Sequence, residues 1–438
     1  MSGCCNSTLS PKAVSLTFSF RARKVRANLA TVAAASRNSE VRAISSALPP
    51  VLRVVSLVVF ASTLFTRAVD PIVPKIADGL GITVSTAALL STAFTFPYAF
   101  TQPVLGVVGD FFGKIRLMNL SLAIVVVTTL VCGFASNFPV LVAMRIVAGM
   151  FAGGIFPIGI AIVGDLVPVE QRQVVIGRFL AIALTGNLIG ATISGVVGDL
   201  FGWRGVFLVI GGFGLVVLIA ALFAFRGLSL GKPLPFNIAA AVSGYRGIFA
   251  DPRAKVCFGS VFFEGIIIHG MLPYVALLLL ASGQTHSSYA GIVIAVFGFG
   301  GVLFSLSLPF LVPRLRERTM MLVGSALACV AFVLIPISMP WYGLAAVFLL
   351  LGVGFYMLHN CIQVHVTELS QTARASAMSL HSSFFFLGQA IGPVYYGYAF
   401  HRFGIGLPPL IAAGVIVVIG LACAHWLRHR RVLDLRGA

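Results

Sequence analysis

The chain has 438 residues, 59% of them apolar and only 10% charged. Soluble domains carry about 25% charged residues, so this composition excludes an ordinary water-soluble globular fold. The formal charge is +18, from 30 basic and 12 acidic residues. In a soluble protein that surplus would point to nucleic acid or another acidic partner, and here its placement along the chain decides its meaning.

A membrane-spanning helix needs about 20 predominantly apolar residues. Twelve such runs follow one another, at roughly 54–76, 84–108, 117–135, 139–163, 174–199, 204–225, 256–281, 289–312, 319–337, 341–365, 375–400 and 405–427. No strand-like alternation competes with them. The 46 glycines suit helices that pack through small residues in lipid. The fold class is therefore an all-α polytopic membrane protein with twelve transmembrane helices.

With the N-terminus on the cytoplasmic side, the inner segments hold 25 of the 30 basic residues and eight acids. The outer loops hold Lys75, Arg204 and Arg402, and Arg67 and Arg145 lie within helices. Lys and Arg stay on the cytoplasmic face, so both termini are expected there. The surplus then reads as a topology signal, and no nucleic-acid partner is expected.

Residues 1–50 form a basic segment rich in Ser and Ala, with Glu40 as its one acid. It lacks the apolar core of a secretory signal, yet its composition also describes an organellar transit peptide. A disordered cytoplasmic tail, a targeting segment and a membrane-surface tether assisted by Cys4 and Cys5 stay open. The seven cysteines show no C-x-x-C pairing, so metal or redox chemistry is not expected.

The chain matches itself at a shift of 202 residues. Pro71 meets Pro273, Gly81 meets Gly283, Arg116 meets Arg318, Arg172 meets Arg374 and Gly202 meets Gly404. Gly186-Asn187-Leu-Ile-Gly190 maps onto Gly388-Gln389-Ala-Ile-Gly392, and Gly195 onto Gly397. The expected organisation is a six-helix bundle at 51–226, a cytoplasmic linker at 227–254, a second bundle at 255–427 and a cytoplasmic tail at 428–438. Two repeated bundles with a site between them near the midplane is the architecture of secondary transporters.

Between the second and third runs stands Gly106-Val-Val-Gly-Asp110-Phe-Phe-Gly113-Lys114-Ile-Arg116. It resembles the G-x-x-x-D-x-x-G-[RK]-x-[RK] signature of the major facilitator superfamily. Asp165-Leu-Val-Pro168-Val-Glu170-Gln-Arg172 is similar to that family's D-x-x-P-x-x-x-R loop. The resemblance covers residues 50–430 and implies that the two loops form a charge network gating the cytoplasmic end. Gly106, Asp110, Gly113, Lys114, Arg116, Asp165, Glu170 and Arg172 are its members. The second copy keeps Arg314, Arg316 and Arg318 but has Val312 in place of the acid, so an asymmetric network is expected.

Arg145-Ile-Val-Ala-Gly149 resembles the R-x-x-x-G motif of proton-coupled antiporters. The run Gly186 to Gly195 is similar to their G-x-x-x-G-P-x-x-G-G motif, with Ala191 for the proline and Ser194 for a glycine. The likeness to twelve-helix drug:proton antiporters implies export, and these two departures weaken that implication.

Ionisable groups at membrane depth are functional candidates by default. Arg67 and Asp70 are spaced i,i+3 and can face one another. They read either as a self-contained ion pair or as a protonatable carboxylate held by Arg67 or Arg145. Glu264 stands in an apolar run, as a proton or substrate site or as a polar packing contact. His269 occupies the register of Arg67 and reads as cavity-lining or structural. The repeat-equivalent Asn187 and Gln389 suit substrate hydrogen bonding or helix adhesion. His359, Asn360, Gln363 and His381 make a further polar patch for the cavity or an inner gate, and Phe94, Phe96, Phe384, Phe385 and Phe386 suit either an apolar pocket or lipid.

No nucleotide-binding loop, H-E-x-x-H or nucleophile constellation is present, so neither an enzyme nor an ATP-driven pump is expected. The leading expectation is proton-coupled efflux of amphipathic small molecules by a cofactor-free monomer in a bacterial inner membrane. An organellar membrane follows if residues 1–50 are a transit peptide. The alternative within transport is a metabolite or organic-anion carrier using Arg67 and Arg145. A transport-inactive receptor is a different class, disfavoured by the presence of Asp110 and Arg172.

Overall fold

The computed structural model describes residues 50–227, 245–370 and 374–427. Inside these helices the side chains of residues 106, 107, 110, 111, 169, 170, 173, 174, 374 and 375 also lie outside the description. The chain divides into units Met1–Arg53 and Val54–Ala438, and the helical core belongs to the second.

The first half opens with α1 (Pro50–Thr66), a 3-10 turn at Asp70–Ile72 and α2 (Val73–Leu80). It continues through α3 (Val84–Phe112), α4 (Lys114–Phe134), α5 (Phe138–Leu166) and the long α6 (Val169–Ala224). The second half opens with α7 (Pro252–Ile267), a 3-10 segment at His269–Tyr274 and α8 (Val275–Ala281). It continues through α9 (Ser287–Leu311), α10 (Glu317–Leu334), α11 (Trp341–Glu368), α12 (Arg374–Phe403) and α13 (Leu407–Trp426). α6 makes two passes because its helical geometry breaks at Gly202, where φ is +70°. With α1–α2 and α7–α8 each counted as one broken pass, the described residues make twelve, as the sequence predicts.

Among the described residues, nine helical stretches meet the length and apolarity needed to cross a bilayer, with both limbs of α6 in one of them. α3 and α12 do not meet that apolarity, and they pack along one another in the interior. A helix that meets protein rather than lipid on much of its surface can carry Ser91, Tyr98, Gln102, His381 and Gln389, all of them buried.

The repeat is visible in backbone geometry. Gly81 and Gly283 have φ of +63° and +77°, and Gly202 and Gly404 have +70° and +72°. Only glycine adopts this region without steric cost, so the matched glycines mark matched turns. A side chain at Gly186 would meet the backbone of Phe60, and one at Gly388 that of Phe262. Gly190 lies likewise on Leu64 and Gly392 on Ile266. Helix-on-helix contacts therefore repeat at the same 202-residue shift as the sequence. In the neighbouring helices the register slips by one: Gly149 lies on Phe94 and Gly352 on Phe297, a shift of 203.

The halves join where α3 packs on α12, where α6 packs on α9, and where the two 3-10 segments touch. The 3-10 segments stand at the end opposite the loops that carry most of the basic residues. At that opposite end the 3-10 turn at Asp70–Ile72 packs on the second 3-10 segment, α8 and α9, so the halves meet there.

Candidate functional site

A cavity of about 230 Å³ lies between the halves. α1, α3 and the first limb of α6 form one wall, and α9, α11, α12 and the second 3-10 segment form the other. Its polar lining includes Thr63, Arg67, Asn187, His269, His359 and Gln389, and its apolar face includes Phe297, Phe355, Phe385 and Phe386.

Arg67 and Asp70 pair at 3.1 Å (Nη1 to Oδ2). The second carboxylate oxygen of Asp70 accepts from Ser91 Oγ at 2.7 Å, so this buried acid is satisfied on both sides. Arg67 Nη2 reaches across the halves to Gln389 Oε1 at 3.5 Å. Among the described residues Arg145 makes no direct hydrogen bond or ion pair to Asp70, the alternative partner expected for it. Its guanidinium donates to the carbonyls of Phe65 (3.3 Å) and Leu90 (3.5 Å) and lies 4.2 Å from the centroid of the Phe94 ring. Fully buried and absent from the cavity lining, it ties α5 to α1 and α3.

Glu264 is also behind the wall. Its Oε2 lies 2.8 Å from His359 Nδ1, while Oε1 has no hydrogen-bond partner among the described residues. His359 does line the cavity, so Glu264 reaches the cavity through this imidazole. The His359 ring stands 4.9 Å from His381 and 5.1 Å from Phe385. His269 lines the cavity within a triangle of Phe297, Phe355 and Phe385, at 5.4, 5.0 and 4.7 Å between ring centroids.

The amide pair comes together as a pair of facing walls: Asn187 and Gln389 both line the cavity. Asn187 donates to Ala183 O at 3.2 Å and leaves Oδ1 unpartnered among the described residues. Asn360, Gln363 and His381, expected with them, are not part of the lining. Of the five phenylalanines singled out in the sequence, Phe385 and Phe386 line the cavity, Phe94 packs under Arg145, Phe384 stacks on Phe258 and Phe96 is exposed.

At the basic end, Lys114 Nζ lies 2.7 Å from Asp165 Oδ2. Gly113 turns the chain between α3 and α4 with φ +87°. Arg172 donates to Gly164 O at 2.6 Å and Val167 O at 2.9 Å, which satisfies carbonyls at the end of α5. Arg116 is exposed. The side chains of Gly106, Asp110 and Glu170 lie outside the described residues.

Sequence reasoning missed two constellations. In the second half, Arg253 pairs with Asp251 (2.9 Å) and Glu368 (3.3 Å), and His365 stands 3.2 Å from Glu317. Of the expected Arg314, Arg316 and Arg318, Arg314 donates to Phe310 O at 2.9 Å. The second is Asp199 with Lys75 and the start of α9, for which the only sequence signal was an acid just before the Gly202 turn. Tyr98, Phe297 and Phe355 carried no signal either, because an aromatic facing a cavity and one facing lipid look alike in sequence.

The sequence matches the Major Facilitator Superfamily over residues 55–371 and again over 257–436. It is 24% identical over 365 residues to the quinolone resistance protein NorA of Staphylococcus aureus (strain COL), covering 80% of this chain and 91% of that protein. It is also 28% identical over 137 residues to the probable efflux pump mfs2 of Aspergillus flavus, covering 31% of this chain and 32% of that one. A bacterial homolog of the human lysosomal transporter Spinster, in an inward-facing and unoccupied conformation, superposes with TM-score 0.67 at 18% identity, covering 86% and 94% of the two chains. A POT family transporter in complex with 5-aminolevulinic acid gives 0.70 at 13% identity, covering 86% and 96%. With the family match spanning both halves and the fold shared with these transporters, the chain belongs to the Major Facilitator Superfamily, as a multi-pass membrane transporter of small molecules.

Proposed function

We propose that the chain couples proton movement to the export of amphipathic small molecules, with the halves rocking about the central cavity. The observation that carries this reading is the Glu264–His359 contact at 2.8 Å, which joins a buried carboxyl to a cavity-lining imidazole. An isolated ionised carboxylate is costly to bury, and this pair can share one proton at the cavity wall. A cargo in the cavity would meet His359 directly, so binding and proton transfer compete at one side chain. Export is supported by the likeness to NorA, whose name records quinolone resistance. The charge distribution supports an inner-membrane setting with both termini cytoplasmic, and the protein acts as a monomer.

The test is purified protein in liposomes under an imposed pH gradient, with a broad panel of dyes and drugs. Gradient-driven movement of at least one solute is expected, and Glu264→Gln lowers it by about tenfold or more. If no solute follows the gradient, and Glu264→Gln and Asp70→Asn both match the parent, proton coupling is wrong.

A second reading, an organic-anion carrier, is favoured by one feature of the lining. Arg67 is the charged residue on the cavity wall, whereas Asp70 and Glu264 stand behind it. A carboxylate cargo would find a guanidinium, two imidazoles and two amides there. Competition between anionic and cationic aromatics of equal size for the same transport separates the two readings.

A further inference from the structure

The end opposite the basic loops carries a charged contact between the halves that the transport reading does not use. Asp199 lies on the first limb of α6, in the first half. Its Oδ1 accepts from the backbone N–H of Ser287 and its Oδ2 from that of Ser288, both at 2.8 Å. These are the first two residues of α9, in the second half. Lys75 of α2 anchors the carboxylate from its own side, with Nζ 2.9 Å from Oδ1 and 3.0 Å from Gly198 O. His286 Nδ1 lies 3.8 Å from Oδ2 and is largely exposed.

The two repeat-equivalent helices start differently. α3 caps itself, since Thr83 Oγ1 accepts from Thr86 N at 3.1 Å. α9 follows His286, which makes no side-chain cap hydrogen bond. The first N–H groups of a helix have no partner within it, and negative charge is favoured there. α9 therefore receives its cap from the other half. Around this contact the backbones are close: Gly195 lies against Ser287 and Ser288, and Gly291 against Ala191.

We propose that Asp199 is the latch that keeps this end of the transporter closed, and that its release from Ser287 and Ser288 is the step that opens it. Opening separates α6 from α9, which strips α9 of its cap and leaves Lys75 as the carboxylate's partner. These hydrogen bonds join the two halves, so moving α6 away from α9 breaks them. Lys75 keeps the carboxylate charged and oriented for re-closing. Asp199 is thus a positioning residue for alternating access and does not touch cargo.

The experiment is double electron–electron resonance on the full chain in lipid nanodiscs. Nitroxides replace the exposed Phe134 and Tyr342, one on each half at this end, in a background with the native cysteines substituted. The parent should populate a short distance. Asp199→Ala should raise the long-distance population relative to the short one by about tenfold, the scale of a hydrogen bond to a charged group. Ser287→Pro should act in the same direction. Proline suits the first position of a helix, and the extended His286 (φ −81°, ψ 123°) suits the residue before it, so that variant removes a donor without removing the carboxylate. His286→Ala should leave the distances unchanged. Parent-like distributions in both Asp199→Ala and Ser287→Pro would overturn the proposal. If Asp199→Ala fails to fold, Ser287→Pro decides alone, and a parent-like distribution in that variant is then enough to overturn it. The readout needs no cargo, so its failure is distinct from a failure of the proton-coupled reading.

Discussion

The two halves bury one acid each near the cavity, and they treat it in opposite ways. Asp70 in the first half meets Arg67 at 3.1 Å and Ser91 at 2.7 Å. Glu264 in the second half has His359 on one oxygen and no described partner on the other. The first arrangement holds its charge in place, because both oxygens and the guanidinium are satisfied together. The second can change its protonation without breaking a salt bridge to an always-charged residue. The two halves of this pseudo-symmetric scaffold therefore differ: one holds its buried acid between a guanidinium and a hydroxyl, and the other sets its acid against an imidazole.

The largest effect expected from breaking this comparison is on stability. Asp70→Ala leaves Arg67 buried without its counter-charge and should cost about 3–5 kcal/mol, read as thermal unfolding in detergent. The double variant Arg67→Ala with Asp70→Ala should recover part of that loss, since removing both partners leaves no uncompensated charge. A double variant no better than the single one would show that the pair does more than neutralise itself.

Glu264→Gln comes next, and its signature is functional. Gradient-driven transport should fall by tenfold or more, about 1.4 kcal/mol or above, while counterflow of labelled cargo without a gradient persists. Loss of both activities together with a lowered melting temperature would make Glu264 a structural residue, and the contrast between the halves would vanish. His359→Gln should reproduce the uncoupling, because it removes the titratable partner and keeps an amide at the wall.

A smaller effect tests the seam behind the first-half clamp. Ser194 Oγ donates to Ala68 O, where the antiporter motif that the sequence resembles has a glycine. Ser194→Ala should cost about 1 kcal/mol, the ordinary worth of one buried hydrogen bond, with transport kept. The mildest expected change is Asn187→Ala, which should weaken cargo binding about threefold to tenfold, within the range of a single neutral hydrogen bond. Comparing it with Gln389→Ala shows whether the two walls contribute equally.

Much of the architecture was legible because lipid imposes strong rules. A spanning segment must be long, apolar and helical, so the twelve passes could be counted from the chain. The repeat was legible because glycine is needed wherever backbones approach or φ turns positive. Gly186 and Gly388 betray helix contacts, and Gly81 and Gly283 betray turns. The site was legible in part. Arg67, Asn187, His269, His359 and Gln389 stand out as polar groups at membrane depth, and the structure brings them to one cavity.

Other residues were legible as candidates but not as partners. Arg145 is as conspicuous in the sequence as Arg67, yet it binds backbone carbonyls and stays out of the cavity. Helical spacing says which residues share a face, while neighbouring helices decide what that face meets. Asn360 and Gln363 lie within a turn of His359 and still do not line the cavity.

A twelve-helix membrane protein in two repeated halves, with basic residues concentrated in alternate connecting segments, follows from the chain alone. Those properties follow from composition, period and local geometry, which residues carry individually. Tertiary structure alone decided which carboxyl is clamped, which is paired to an imidazole, and that Asp199 caps a helix of the opposite half. Each of those depends on groups from distant parts of the chain meeting within hydrogen-bond distance. The basic surplus gives an expected orientation, but the contacts that join the halves at the opposite end became visible only once the helices were packed.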